Sequence, residues 1–278
     1  MTSDAGPFTV AVTGAARGIG YETARQLAAR GHRVAIGDRD GDLAEAAAAR
    51  IGELARGYRL DVASREEFGR WLDAVERDLG PLDVLINNAG IAPVASKVAG
   101  QDPEAVKATL DVNLGGVING TLEAILLMEP RGRGQVINIS SLAGLIGVPG
   151  LAAYAASKHG VIGFTESVRA EYRRSGIQFT CVLPGPTATR MMDGTRSSPV
   201  VKLTRPEDLA ARIAGTVGRR CDRFAYPRLD GLFARISGNL PPAAGQWLQR
   251  LVRADRIYTD IHPVARDGYE SWLDREQR

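Results

Sequence analysis

Phe8-Thr9-Val10-Ala11-Val12-Thr13-Gly14-Ala15-Ala16-Arg17-Gly18-Ile19-Gly20 is the stretch that decides the fold. Its first six residues make a short apolar run of strand character. The run enters a glycine turn, and an amphipathic helical pattern follows over 19–30 and stops at Gly31. Strand, glycine turn and helix in that order place a pyrophosphate on a helix N-terminus, where unpaired N–H groups and the helix dipole favour an anion. Gly14, Gly18 and Gly20 let the backbone approach a phosphate closely. The spacing is G-x-x-x-G-x-G rather than G-x-G-x-x-G, and taken alone it also fits a plain strand-to-helix turn.

A second strand over 33–37 leads to Asp38, eighteen residues past Gly20. An acid at about that distance suits the 2′-hydroxyl of an adenine-side ribose, whereas a nearby Arg suits a 2′-phosphate. Both are present, as Asp38 with Arg39 beside it and Arg17 in the glycine turn. A carboxylate aimed there repels a phosphate, so NAD is expected over NADP; the alternative for Asp38 is a turn residue opening the helix at 41–52. Further strands are expected at 58–60, 83–86, 135–139, 177–183 and 223–226, and further helices at 64–79, 103–129, 152–174 and from 205 onward. Alternation of this kind predicts an α/β fold, a doubly wound parallel sheet of Rossmann type, in one domain over 1–228. Ligands of such sheets bind beyond the carboxyl ends of the strands. The glycine turn, Asp38, Asp61, Asn87, Ser141 and Pro184 all fall there. The Asn87-Asn88 pair either ties strands together or lines that crevice.

The chemistry concentrates between Ser140-Ser141 and Tyr154-Ala155-Ala156-Ser157-Lys158. Positions i and i+4 of a helix share a face, so Tyr154 and Lys158 point into one site. A free phenol has a pKa of about 10, and a fixed ammonium nearby favours the phenolate. Ser141, at the end of a buried strand, can hydrogen-bond an oxygen that Tyr154 protonates. Such equipment interconverts an alcohol and a carbonyl. Asn113 stands inside a long helical pattern, where Asn is a poor choice; a bound water or a bend in the helix would account for it.

Composition narrows the class. The chain has 278 residues, 44% hydrophobic and 24% charged, with a formal net charge of +3. The positive residues are scattered, which speaks against nucleic acid as a partner. Cys181 and Cys221 have no metal-ligand spacing and form no disulfide framework, which fits a reducing, cytoplasmic compartment. Cys181 reads as core. The first residues carry no signal-peptide pattern, and no apolar run approaches the ~18 residues of a membrane span. His32, His159 and His262 form no cluster, so no metal is expected.

Taken together, Thr13-Gly14-x-x-x-Gly18-Ile19-Gly20, Asp61-Val62, Asn87-Asn88-Ala89-Gly90, Asn113, Ser141, Tyr154-x-x-x-Lys158 and Pro184-Gly185 resemble the short-chain dehydrogenase/reductase family over 8–226. The resemblance implies Tyr154 as general acid/base and Lys158 as the group that lowers its pKa and holds the nicotinamide ribose. It implies Ser141, with Ser140 the less favoured neighbour, as the group orienting the substrate oxygen, and Asn113 as support for a relay water. It implies Gly14, Arg17, Gly18, Ile19, Gly20, Asp38 and Arg39 as cofactor-binding residues, with Asp61 and Val62 at the adenine. Asn88, Ala89 and Gly90 would border the cofactor, as would Pro184 and Gly185; Ala188 and Thr189 would face the carboxamide, with Thr187 an alternative. It also implies a homo-oligomer, dimer or tetramer, with the helices at 103–129 and 152–174 as the pairing surfaces.

The expected activity is hydride transfer between a nicotinamide cofactor and a small-molecule alcohol or ketone. Leu142, Leu145, Ile146, Val148, Met191 and Met192 suggest a lipophilic secondary alcohol. The alternative is a redox sensor or scaffold that binds the dinucleotide without turnover. The segment 229–278 departs from the family pattern. It reads as helices over the substrate mouth or a partner subunit, as a surface appendage, or as a basic membrane-surface contact.

Overall fold

The structure, a computed structural model, describes residues 6–92, 95–192 and 203–251. Seven strands form one sheet: β1 (Thr9–Thr13), β2 (Arg33–Asp38), β3 (Ala55–Arg59), β4 (Val84–Asn87), β5 (Gly134–Ile139), β6 (Ile177–Pro184) and β7 (Arg223–Tyr226). Their order is β3-β2-β1-β4-β5-β6-β7, and every pairing is parallel. The apolar runs of β1, β4 and β5 are buried along their whole length, as parallel strands covered on both faces must be. The chain steps outward from β1 to β3 and then crosses to β4. This leaves a crevice at the carboxyl ends of β1 and β4.

Nine helices cover the faces among the described residues: α1 (Gly18–Ala28), α2 (Gly41–Ile51), α3 (Arg65–Leu79), α4 (Pro103–Leu110), α5 (Gly116–Met128), α6 (Ala152–Glu171), α7 (Pro206–Ala214), α8 (Arg228–Asn239) and α9 (Pro242–Leu251). Capping signals set several of the starts. Asp40 accepts from the Leu43 N–H and Ser64 from the Glu67 N–H, while Asp102 caps α4 ahead of Pro103. One packed face joins β1 and β2 to α1, α2 and α7 around Val12, Leu27, Ile36 and Leu209. The other joins the sheet to α3, α5 and α6 around Phe68, Trp71, Leu85 and Met128.

Two differences of boundary from the sequence reading bear on the site. β3 runs over Ala55–Arg59 rather than 58–60, because it is an edge strand whose mixed burial leaves a weak apolar signal. The long helix expected over 103–129 is divided. A five-residue π-turn, Asp111–Gly115, separates α4 from α5, and Asn113 is at its centre. The stretch Pro103–Arg131 is also long and apolar enough to cross a membrane by length and composition, contrary to the expectation that no run was. It packs on the sheet instead, burying Val117, Ala124, Ile125 and Met128. Most of the polar segment expected at 190–204 lies outside the described residues, as does everything beyond Leu251.

Candidate active site

The glycine turn takes the form its residues dictate. Gly14 and Gly18 have φ of +61° and +59°, in the left-handed region open to glycine. A Cβ at Gly20 would lie 2.5 Å from the Gly14 carbonyl oxygen. Gly18 opens α1, and Arg17 before it makes no side-chain cap, so the first amides of the helix are not capped by that side chain. An uncapped helix start beside a tight glycine turn fits a pyrophosphate.

Asp38 closes β2 only 8% exposed. Its carboxylate accepts from the Ala16 N–H at 3.1 Å and the Asp40 N–H at 3.3 Å, which ties the end of β2 to the glycine turn. Arg39 is exposed beside it. Asp61 follows β3 and accepts from the Ala63 N–H at 3.0 Å; Val62 is buried, and Asn119 holds its carbonyl at 3.0 Å. These four residues and the glycine turn line one end of the crevice, at the ends of β1, β2 and β3.

At the switch point Asn88 ties strands together. Its side chain donates to the carbonyls of Thr13 at 2.9 Å and Gly14 at 3.1 Å, and the N–H groups of Asn88 and Ala89 donate to the Thr13 hydroxyl. Asn87 bridges to Asn138 at 2.9 Å, and Asn138 to Thr165 at 3.0 Å, a buried polar line between β4, β5 and α6. On the far side, Pro184 and Gly185 are buried. Thr187 donates to the Gly185 carbonyl at 3.0 Å, Ala188 is exposed, and the Thr189 methyl reaches within 3.6 Å of where a Cβ on Gly18 would be. The loop after β6 thus faces the glycine turn across the crevice.

Between these two walls are Ser141, Tyr154, Lys158 and Asn113. Asn113 is fully buried and aimed by the π-turn. Its Oδ1 accepts from the Ile91 N–H at 2.8 Å, and its Nδ2 donates to the Ile91 carbonyl at 2.9 Å and the Ser157 hydroxyl at 3.2 Å. Ser157 donates onward to the Tyr154 carbonyl at 2.7 Å. A Cβ on Gly90 would lie 3.2 Å from Asn113 Oδ1 and 3.5 Å from Lys158 Nζ, so that glycine borders both. The Ser141 hydroxyl accepts from the Ala143 N–H at 3.1 Å and faces the Tyr154 phenol closely enough to favour its ionised form. Ser140 instead turns inward and donates to the Lys158 carbonyl at 2.8 Å, which distinguishes the two serines.

The electrostatics depart from the expectation in one respect. Lys158 Nζ lies 5.7 Å from the Tyr154 ring centroid, so the two side chains do share a face. The amine, however, is only 3% exposed and donates to the Ile139 carbonyl at 3.1 Å. Burial brings its pKa down to about 8. Burial also pushes the Tyr154 phenol above its ordinary value, and the Ser141 hydroxyl opposes this more weakly. The phenol's pKa is therefore raised, not lowered, because desolvation outweighs the opposing effect of Ser141.

Sequence reasoning missed Thr13, Ile91, Ile139 and Ser157, which hold the site in place. Thr13 and Ser157 adjoin motifs and could have been flagged; Ile91 and Ile139 act through their backbones, which leaves no trace in side-chain type. The apolar loop Leu145, Ile146 and Val148, expected near the substrate, lines a different cavity. That cavity, of about 790 Å³, opens between α6 and the α8–α9 corner, with Ala155, His159 and Gln249 also on its walls. Neither Tyr154, Ser141 nor Lys158 lines it.

A seven-stranded parallel sheet with a glycine turn, a buried acid at the end of β2 and a Ser–Tyr–Lys–Asn set describes an oxidoreductase that binds a nicotinamide dinucleotide. The comparisons agree. The family model for short chain dehydrogenases matches residues 8–199. Cis-4-hydroxycyclohexanecarboxylate dehydrogenase of Sinomonas cyclohexanicum is 35% identical over 214 residues, 73% of this chain and 86% of that protein. A 3-oxoacyl-[acyl-carrier-protein] reductase of Synechocystis is 36% identical over 214 residues, 73% of this chain and 85% of its own length. SadH of Mycobacterium tuberculosis, named as an oxidoreductase, is 39% identical over 272 residues, 91% of this chain and 96% of the relative. The chain belongs to the short-chain dehydrogenase/reductase family.

Proposed function

We propose that the protein is an NAD-dependent dehydrogenase of lipophilic secondary alcohols, running as a ketone reductase in reverse. The observation that carries this reading is the Ser141 hydroxyl facing the Tyr154 phenol beside a buried Lys158 amine. The nicotinamide, when bound, supplies the hydride acceptor or donor. Ser141 holds the substrate oxygen in the direction of the phenol. Tyr154 takes the hydroxyl proton in oxidation and returns it in reduction. Lys158 and Asn113, each fixed to a backbone carbonyl, hold the polar line behind the phenol. The glycine turn would hold the pyrophosphate, Asp61 and Val62 the adenine, Asn88, Ala89 and Gly90 the middle of the cofactor, and Pro184 to Thr189 its carboxamide.

Preference for NAD rests on Asp38, a buried carboxylate where a 2′-phosphate would otherwise sit, with Arg39 turned to solvent. Preference for an apolar substrate rests on Leu142, Met191 and Met192. A homo-oligomer paired through α5 and α6 belongs to the same reading, supported by the exposed Leu122 and Leu126 on α5. Steady-state kinetics with NAD and NADP across apolar and charged secondary alcohols test the reading. Higher kcat/KM with NAD and apolar alcohols is the expected result. Preference for NADP would remove the role given to Asp38, and preference for charged alcohols would remove the substrate class.

A further inference from the structure

α8 begins just past the carboxyl end of β7, and its first turn stands beside the turn that carries Ser141. Leu142 marks the distance. Its two methyls lie 3.5 and 3.9 Å from where Cβ atoms on Gly185 and Gly231 would be. The same position at Gly185 is 3.5 Å from Asp230 Oδ2. A carboxylate on the carboxyl-terminal helix therefore sits against Pro184-Gly185 and next to the Ser141-Leu142 turn. In the third position of a helix an acid commonly reaches back to the N-cap amide, but here the N-cap is Pro227, which has no N–H. Asp230 is half-buried and, among the described residues, has neither a hydrogen bond nor an ion pair. Burial raises its pKa with no compensating neighbour. A desolvated acceptor without a partner gains most from a donor brought to it.

We propose that Asp230 is a specificity-determining residue of the substrate site. It accepts a hydrogen bond from a hydroxyl group on the substrate, remote from the reacting carbinol, and disfavours substrates with a carboxylate, sulfonate or phosphate there. The inference rests on reading Ser141, Tyr154 and Lys158 as the catalytic site, and it sharpens the substrate class to an apolar skeleton with a second, donating polar group. Neither the glycine turn nor the Tyr-x-x-x-Lys pattern carries this information.

The test uses the full chain with two series of secondary alcohols, one on cyclohexane and one on decalin. Each series carries a methyl, a hydroxyl or a carboxylate group at the end far from the carbinol. The methyl compound is the internal reference for each protein. Wild type should favour the hydroxyl over the carboxylate compound by about 100-fold in kcat/KM in at least one series, since like charges and unmet donors both discriminate strongly. Asp230→Asn and Asp230→Ala should each cut that ratio by about tenfold or more, mainly through KM. A wild-type preference for carboxylate in both series, or an unchanged ratio in both variants, overturns the inference. An NADH fluorescence titration identifies a variant that has lost its fold, and the wild-type ratio decides alone if both have. Tyr154→Phe separates the two levels. If it keeps turnover, the catalytic reading itself falls. If it loses turnover while the Asp230 variants keep the wild-type ratio, only the role of Asp230 falls.

Discussion

α1 and α9 are helices of similar length, eleven and ten residues, and both are amphipathic. α1 buries Gly20, Thr23, Ala24, Leu27 and Ala28 against the sheet, whereas α9 buries Gly245 and Gln249, leaving Trp247 and Leu251 about two-thirds exposed. Of the twelve exposed large hydrophobics among the described residues, six fall between Leu229 and Leu251. The difference separates two kinds of constraint. In the cofactor half, close approach fixes the backbone at Gly14, Gly20 and Gly57, and the apolar face of each helix is spent on the sheet. The carboxyl-terminal helices are also held by close approach, at Gly231, Gly238 and Gly245, but they present large apolar side chains to solvent instead of burying them on the sheet.

The largest effect expected is at the centre, where the two halves meet. Lys158→Met should lower kcat by roughly 100- to 1,000-fold, within the range general acid–base groups supply. The same change should raise stability near pH 7. The folded pKa of Lys158, about 8, lies below its ordinary 10.5. Holding the charge buried at pH 7 thus costs on the order of 3 kcal/mol, at 1.36 kcal/mol per unit. Between about pH 8 and 10.5 the unfolded chain binds more protons than the folded one, so wild-type stability rises with pH there. The advantage of Lys158→Met should accordingly shrink as pH climbs from 8 toward 10. Urea unfolding at pH 7 and pH 10 checks this, and an equal difference at both would contradict it.

Gly20→Val should cost about 1–3 kcal/mol, because the new side chain must displace the Gly14 carbonyl and the Asn88 amide. It should also weaken NADH binding, measured by fluorescence titration. A neutral result would mean the glycine turn is as tolerant as the exposed face of α9. At the other extreme, Trp247→Ser on the exposed face of α9 should stay within about 0.5 kcal/mol by thermal unfolding. A loss several times larger would show that this surface is covered in the folded protein, and the comparison would fail there.

The same division explains what could be read from the residues alone. Gly14, Gly18, Gly20 and Asp38 were legible because a turn with positive φ and an acid at a strand end are local requirements. Tyr154 and Lys158 were legible as a pair because helical spacing puts them on one face. The direction of the phenol's pKa was not, since burial comes from strands and helices far away in sequence. Asn113 was visible as an anomaly, but its cause, the pair of hydrogen bonds to Ile91, spans 22 residues. β3 lost its boundary because an edge strand has no continuous apolar run. Asp230 left no signal, since an acid in a first helical turn is ordinary until Pro227 and Gly185 are seen beside it.

On the proposed function, the Tyr154 phenol exchanges the proton while the crevice holds the dinucleotide. The most direct test is a single turnover: wild type and Tyr154→Phe are mixed with NAD and a lipophilic secondary alcohol, and reduced nicotinamide is followed by absorbance from pH 7 to 10. Because burial raises the phenol's pKa, wild-type oxidation should accelerate as pH rises through this range. Tyr154→Phe should bind the cofactor with nearly unchanged affinity and show a rate at least about 100-fold lower at every pH. Retained turnover in Tyr154→Phe, with the same pH dependence as wild type, would contradict the account.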